Sequence, residues 1–317
     1  MDTSLLKYLT QEEISFLSHC VLCPRECGAD RLNGKKGFCN LGLSLSVALI
    51  INHKGEEPIL SKDKGVCNVF FSHCNCQCIF CQNYKISSTV TEPKNLYPTV
   101  DDTVNKIIEV LKTSENVLGF VSPTHQIPIM KLLIRKVNER GFFPKIVYNC
   151  GGYEKTEILK SLDEIIDVYL PDWKYCDNEL SIKYSSAPDY PLIAKQAVKE
   201  MYRQKGSSVL TDKDGNIESG LIIRHLLLPG HLEESKKVLD EIAWELSPNV
   251  TLSLMSQYNP PFPLPYKNLN KKVSFKEYEE LLDFAVSLGF HKIYAQDLSS
   301  AENVMPDFDN NTFIRNN

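Results

Sequence analysis

From Asn68 onward the chain alternates seven short apolar runs with stretches of helical periodicity. The runs are Val69–Phe71, Val117–Val121, Ile146–Tyr148, Ile165–Leu170, Leu221–Leu228, Val250–Met255 and Ile293–Ala295. Between them, Val104, Ile107, Ile108 and Leu111 make one stripe of 3.6-residue spacing, and Val238, Ile242 and Leu246 belong to another. Ser274 and Glu277 spell a capping box ahead of Tyr278, Leu281, Leu282 and Ala285, each side chain satisfying a backbone N–H that a helix start leaves over. Strand–helix–strand repetition closes as right-handed βαβ units on a parallel sheet. About six or seven such units exceed a small open sheet and predict an α/β chain folded as a partial or complete (β/α) barrel.

Ahead of the barrel, Thr10 and Glu13 form a second capping box, Leu43–Ile51 reads as a strand, and Gly55-Glu56-Glu57-Pro58 ends it in a turn. The expected organisation is a cysteine-rich metal-binding module over 1–45, a connecting hairpin over 46–66, the barrel over 67–298 and a C-terminal tail over 299–317. Within the tail, Asp307–Asn317 is polar and expected to fray. The start MDTSLLKYLT has no basic region feeding an apolar one, and no apolar run nears the roughly 18 residues that span a bilayer. The expectation is a cytoplasmic protein without a membrane partner. A net charge of −5 with scattered Lys and Arg argues against nucleic acid as a partner.

The chain carries 11 cysteines, an odd number that complete disulfide pairing would not use up. In a reduced compartment, clustered thiols point to metal or redox chemistry. Cys74, Cys76, Cys78 and Cys81 form one cluster and Cys20, Cys23, Cys27 and Cys39 another, while Cys67, Cys150 and Cys176 are isolated. Cys74-x3-Cys78-x2-Cys81 lies on the loop leaving the first barrel strand. Thiolates are soft ligands suited to iron–sulfur clusters or zinc, and a strict triad on a cubane leaves one iron open. Zinc with a fourth ligand from His73 or Cys76 is the competing reading. Cys20-x2-Cys23-x3-Cys27-x11-Cys39 is a full four-thiolate set that satisfies either zinc or a second iron–sulfur cluster. His53, His73 and His231 read as loop or core histidines, Asp212-Lys213-Asp214-Gly215 as a hairpin turn, and Asn259–Pro265 as a lid or an ordered crossover.

Barrel enzymes gather chemistry just past the C-terminal ends of strands. Those positions hold Cys74–Cys81, Ser122-Pro123-Thr124-His125, Asn149-Cys150-Gly151-Gly152-Tyr153, Pro171-Asp172-Trp173-Lys174, Arg224-His225 and Ser256-Gln257-Tyr258. With Phe80 before the last cysteine, the loop resembles the Cys-x3-Cys-x-aromatic-Cys hallmark of the radical S-adenosylmethionine (radical SAM) enzymes. The phrases CVLCPRECGADR, GEEP, CIFCQN, PTH, YNCGGYE, YLPDWKY, YSSAPDY and IRHLLLPG look like the pyruvate formate-lyase activating enzyme-like subgroup. The likeness covers about residues 20–300.

The resemblance implies a radical SAM barrel in which Cys74, Cys78 and Cys81 hold a [4Fe–4S] cluster. The amino and carboxylate groups of SAM would take the open iron, with Phe80 near the adenine. Reductive cleavage would give a 5′-deoxyadenosyl radical that abstracts hydrogen from a substrate. Asp172 and Lys174 match an Asp-x-Lys of the activating enzymes, and Arg224 with His225 an Arg-aromatic pair. Neighbours on a strand face opposite ways, which favours Arg224 for the site. A rim ion pair is the plainer reading of Asp172 and Lys174. Where activating enzymes carry Gly-Gly-Glu-Pro, this chain has Ser122-Pro123-Thr124-His125. Thr124 still supplies an oxygen for SAM, but the departure loosens the substrate analogy. The implied partners are an electron donor such as flavodoxin or ferredoxin and a glycyl radical enzyme as protein substrate, under anaerobic conditions. The alternatives are a radical SAM enzyme acting on a small molecule or nucleic acid, and a non-enzymatic iron–sulfur or zinc electron-transfer protein.

Overall fold

The apolar runs form strands, and each strand of the two parallel ladders has a helix or turn beside it. A computed structural model describes residues 3–90, 96–296, 305–308 and 312–314. The chain divides into two units, Met1–Asn75 with Lys85–Asn149, and Cys76–Tyr84 with Cys150–Asn317.

In the first unit, β1 (Val47–His53) runs antiparallel to β2 (Val66–Phe71), which is parallel to β3 (Val117–Val121), itself parallel to β4 (Lys145–Cys150). Every residue of β2 and β3 is buried, as strands covered on both faces require. The expected strand over Leu43–Ile51 begins later, at Val47. That residue pairs with Phe71, the last of β2, so earlier residues have no strand opposite them. Helix Val100–Leu111 starts where Thr99 Oγ1 accepts from Asp102 N at 3.1 Å, and buries Val104, Ile107 and Leu111. Both halves of the Thr10–Glu13 capping box form, at 2.8 and 3.2 Å. The same Glu13 carboxylate takes the Arg135 guanidinium at 2.6 and 3.0 Å, so one side chain caps a helix and ties it to another. Arg31 is buried and donates to Gly42 O from Nε (3.2 Å) and Nη2 (3.1 Å), and to His125 O from Nη1 (2.8 Å).

In the second unit, β5 (Val168–Pro171), β7 (Ile217–Leu226), β8 (Thr251–Met255) and β9 (Ile293–Ala295) are parallel neighbours in chain order, and β6 (Leu210–Thr211) returns on β7 as a hairpin. The hairpin turn is built on Asp212, whose Oδ1 accepts from Asp214 N and Asn216 N, both at 2.8 Å. The strand expected from Ile165 starts at Val168, because Leu162 O takes the N–H groups of Ile165 and Ile166 in a turn. The Ser274–Glu277 capping box opens helix Phe275–Ser287. Strands in sequential order are what a (β/α) chain predicts. Of the tail, β10 (Met305–Asp307) pairs antiparallel with β11 (Thr312–Ile314), so it is not wholly frayed; the rest of the segment expected to fray, 309–311 and 315–317, lies outside the described residues. Among the described residues no helix is long and apolar enough to cross a membrane.

In each unit a neutral histidine is buried under the strand ends. His125 Nε2 donates to Ser72 O at 2.8 Å in the first, and His225 Nδ1 donates to Trp173 O at 2.7 Å in the second. Burial pushes His125 from 6.5 down to about 3 and His225 from 6.5 down to about 4. Between pH 6.5 and 4 the unfolded chain therefore binds more protons than the folded one, and stability falls as the pH falls. Urea unfolding should lose on the order of 2 kcal/mol per histidine between pH 7 and 5. His225→Asn should flatten that slope; an unchanged slope would contradict a neutral His225.

Candidate functional site

The cysteine loop leaves β2, and its stretch from Cys76 to Tyr84 is held in the second unit largely by backbone. Gln77 N donates to Ser185 O (3.0 Å) and Ile79 N to Tyr184 O (2.9 Å), one bond on each side of Cys78. Further along, Gln82 Nε2 donates to Gln257 O at 2.9 Å. Phe80 is buried against Tyr258, with ring centroids 6.1 Å apart, and Tyr84 meets Phe262 edge-on at 5.5 Å. Asn259–Pro265 is thus an ordered crossover: Tyr258 OH donates to Leu269 O (2.6 Å), and Asn270 takes Leu264 N and gives to Leu264 O, both at 2.7 Å. Cys78 Sγ lies 3.0 Å from Ser185 Oγ, which lies 2.8 Å from the hydroxyl of Tyr175.

Beyond β5, Asp172 and Lys174 point to one side and pair directly, while Arg224 Nε donates to Asp172 Oδ1 at 2.9 Å. The side chains of Asp172, Lys174 and Arg224 are 15%, 16% and 18% exposed, so this is not a solvated rim pair. Burial raises the Asp172 carboxyl, but Lys174 and Arg224 together outweigh it and hold it below the usual carboxylate range. Burial likewise opposes the Lys174 ammonium, yet Asp172, and after it the Cys78 sulfur, keep it charged beyond its ordinary range. The two shifts agree: all three groups are ionised. On β7 the neighbours separate as strand geometry demands, Arg224 toward Asp172 and His225 into the core toward Trp173 O.

Phe80, Asp172, Lys174, Tyr175, Leu226 and Leu228 line one small cavity with room for about one water molecule. Its floor is fixed by Tyr190, whose hydroxyl accepts from Lys174 N (3.0 Å) and is shared as donor between Gly151 O (2.8 Å) and Asp172 O (2.9 Å). Gly152 adopts φ +78°, and a Cβ there would stand 2.1 Å from Asp172 O. Gly152, after β4, thus serves the close approach of two backbones.

The structure gathers Phe80, Asp172, Lys174 and Arg224 in one unit. Thr124 is buried in a 3₁₀ turn after β3 in the other. Tyr175, Ser185 and Tyr190 were not singled out by sequence reasoning, although YLPDWKY and YSSAPDY contain them. In the first unit Cys20, Cys23 and Cys39 are buried and Cys27 is exposed. Burial pushes the Cys39 thiol up, and Cys20 and Cys27 lie near enough to push it further. Cys20 N to Ala29 O (3.1 Å) and Gly28 N to Cys20 O (3.0 Å) hold the turn that brings them round. Among the described residues no three His, Cys, Asp or Glu side chains converge on a single ion. The donor set of the loop fits the cubane: three soft sulfurs, one of them, Cys78, with the Ser185 hydroxyl 3.0 Å away.

No family model matches this chain. It is similar to the uncharacterized protein MJ0674 of Methanocaldococcus jannaschii, at 29% identity over 291 residues, covering 88% of this chain and 78% of that protein. Among solved structures it is similar to Streptococcus suis SuiB bound to precursor peptide SuiA, with TM-score 0.48 and 11% identity over 73% of this chain and 48% of that one. It is also similar to HydG, a maturase of the [FeFe]-hydrogenase, with TM-score 0.48 and 13% identity over 74% and 52%. Methylornithine synthase (PylB) gives TM-score 0.47 and 14% identity over 97% of this chain and 83% of that one. The chain spans about half the length of SuiB and HydG.

Gly152→Ala should destabilise the second unit by about 1–3 kcal/mol or more, since both the positive φ and the 2.1 Å contact must relax. A thermal melt checks this, and a melting temperature equal to wild type would contradict the tight contact.

Proposed function

We propose that this chain is a radical SAM oxidoreductase whose active site is the cysteine loop and the cavity beside it. The observation that carries the reading is that cavity, where Phe80, one residue before the last cysteine, and the buried Asp172–Lys174 pair are neighbours. Cys74, Cys78 and Cys81 would hold a [4Fe–4S] cluster with one iron left for SAM. When bound and reduced, that cluster supplies the electron that splits the sulfonium into methionine and a 5′-deoxyadenosyl radical, which takes a hydrogen atom from the substrate.

The protein's own part is to bind, orient and keep water out. Lys174 and Arg224 give two positive charges against one on Asp172, a sum of +1 (+1 +1 −1) that suits a carboxylate better than another cation. Asp172 fixes both cations in place for that contact. Phe80 and Leu228 offer apolar surface for a nucleoside ring. Cys20, Cys23, Cys27 and Cys39 form a second metal site, for zinc or an auxiliary iron–sulfur cluster. A flavodoxin or ferredoxin serves as electron donor in a cytoplasmic, anaerobic setting. The substrate drawn from the activating-enzyme resemblance is a glycyl radical enzyme. The Ser122-Pro123-Thr124-His125 departure favours a second reading, a small molecule as hydrogen donor.

Anaerobically reconstituted protein with reductant and SAM should yield 5′-deoxyadenosine, and Cys78→Ala should yield none. Lys174→Met should raise KM for SAM roughly ten- to hundredfold, the value of a charged hydrogen bond. No 5′-deoxyadenosine from fully loaded wild type would sink the radical reading. Incubation with deuterated cell extract then traces deuterium in 5′-deoxyadenosine to its donor, separating protein from small-molecule substrates. Metal analysis of Cys23→Ala should show the loss of one zinc or of a cluster's worth of iron, with the loop's cluster retained.

A further inference from the structure

We infer that Tyr175 and Ser185 form a directed hydrogen-bond relay onto the sulfur of Cys78 that raises the reduction potential of the cluster on the cysteine loop. The inference rests on the [4Fe–4S] reading of Cys74, Cys78 and Cys81. Ser185 Oγ lies 3.0 Å from Cys78 Sγ and 2.8 Å from Tyr175 OH. Both hydroxyl residues are sealed from water, Ser185 at 0% and Tyr175 at 1% exposure.

In isolation either atom of each pair can donate, but iron ligation removes that freedom. A metal-bound thiolate has no proton, so Cys78 only accepts and the Ser185 hydroxyl must point at it. That leaves Ser185 as acceptor toward Tyr175, whose phenol must donate. The order Tyr175 to Ser185 to Cys78 is fixed by proton count. Burial, followed by the Cys78 sulfur, pushes the Tyr175 phenol well above its ordinary range, which keeps its proton in place.

The relay is placed by backbone. Ser185 O accepts from Gln77 N at 3.0 Å and Tyr184 O from Ile79 N at 2.9 Å, so the Ser185 hydroxyl is delivered opposite Cys78 between two main-chain bonds. Helix Asn178–Ser185 ends there because Ser186 turns left-handed, at φ +48°. Tyr175 is braced edge-on by the Tyr190 ring at 5.5 Å. Reduction adds negative charge to the cluster sulfurs, so a donor on Cys78 stabilises the reduced form more than the oxidised one. In a dry site the first hydrogen bond strengthens the second. Ser185 and Tyr175 are positioning and tuning residues here: the Tyr175 ring lines the cavity, while its hydroxyl is turned to Ser185.

The test is an EPR-monitored redox titration of anaerobically reconstituted wild type, Ser185→Ala, Tyr175→Phe and the double variant, each with iron and sulfide counted. Ser185→Ala should move the potential negative by about 59 mV, a tenfold change in the one-electron equilibrium constant. Tyr175→Phe should move it the same way by less, and the double variant no further than Ser185→Ala, because Tyr175 acts only through Ser185. A potential in Ser185→Ala equal to wild type, at full four-iron loading, overturns the relay and leaves Ser185 as packing. If Ser185→Ala does not load, Tyr175→Phe decides by the same criterion, since it leaves every loop contact intact. Wild type that binds no four-iron cluster overturns the cysteine-loop reading and the relay with it; the iron and sulfide counts tell the two failures apart.

Discussion

A carboxylate shut between an ammonium and a guanidinium organises the second unit. Taking charges out of water costs several kcal/mol each, and removing one partner of a buried set costs about 3–5 kcal/mol. Asp172, Lys174 and Arg224 therefore stand or fall together. The backbone around them repeats the arrangement: Asp172 N donates to Cys150 O at 2.9 Å, Trp173 N to Arg224 O at 2.8 Å, and Asp172 and Arg224 form an isolated parallel bridge where β5 has ended. The charged side chains thus stand on a ladder that continues past the strand, with Tyr190 and Gly152 holding the next turn against it. A cavity with fixed charge at its wall needs this rigidity, because a mobile ion pair would close on itself.

The cysteines also sort by environment. Cys67 and Cys150 are buried in strands, where loss of water pushes their thiols up and keeps them protonated. Cys176 is pushed up by burial and by the Glu241 carboxylate, which takes its S–H at 2.8 Å. These three are poor nucleophiles and poor ligands. Cys78 instead faces the Ser185 hydroxyl, 3.0 Å from its sulfur. Spacing separated the groups in the sequence; burial alone does not, since it also pushes up Cys39 of the N-terminal set.

Much of the fold was legible because burial leaves a periodic trace. Val117–Val121 and the Val104, Ile107, Leu111 stripe appear where pattern placed them, and both capping boxes close. The boundaries that moved did so for reasons of pairing: β1 waits for its partner at Phe71, and a turn at Leu162 delays β5. The site was legible where side chains carry charge or sulfur. Asp172, Lys174 and Arg224 stood out as ions at strand ends, and period-two alternation separated Arg224 from His225. Ser185, Tyr175 and Tyr190 did not stand out, because hydroxyl residues are common and their work depends on contacts across tens of residues. Gly152 was visible as a glycine, but only tertiary structure shows that the approaching group is Asp172 O.

The proline-rich crossover has a consequence for how a ligand is received. Prolines 260, 261, 263 and 265 narrow the backbone choices of that segment before it folds, and Asn270 and Tyr258 fasten its ends. Its ordering entropy is met during folding of the chain. Through Gln257 and Phe262 the crossover then steadies Gln82 and Tyr84, on the far side of the last cysteine. In the proposed reading, a cofactor arriving at the cysteine loop finds this wall already standing, and little of its binding energy is diverted into arranging it.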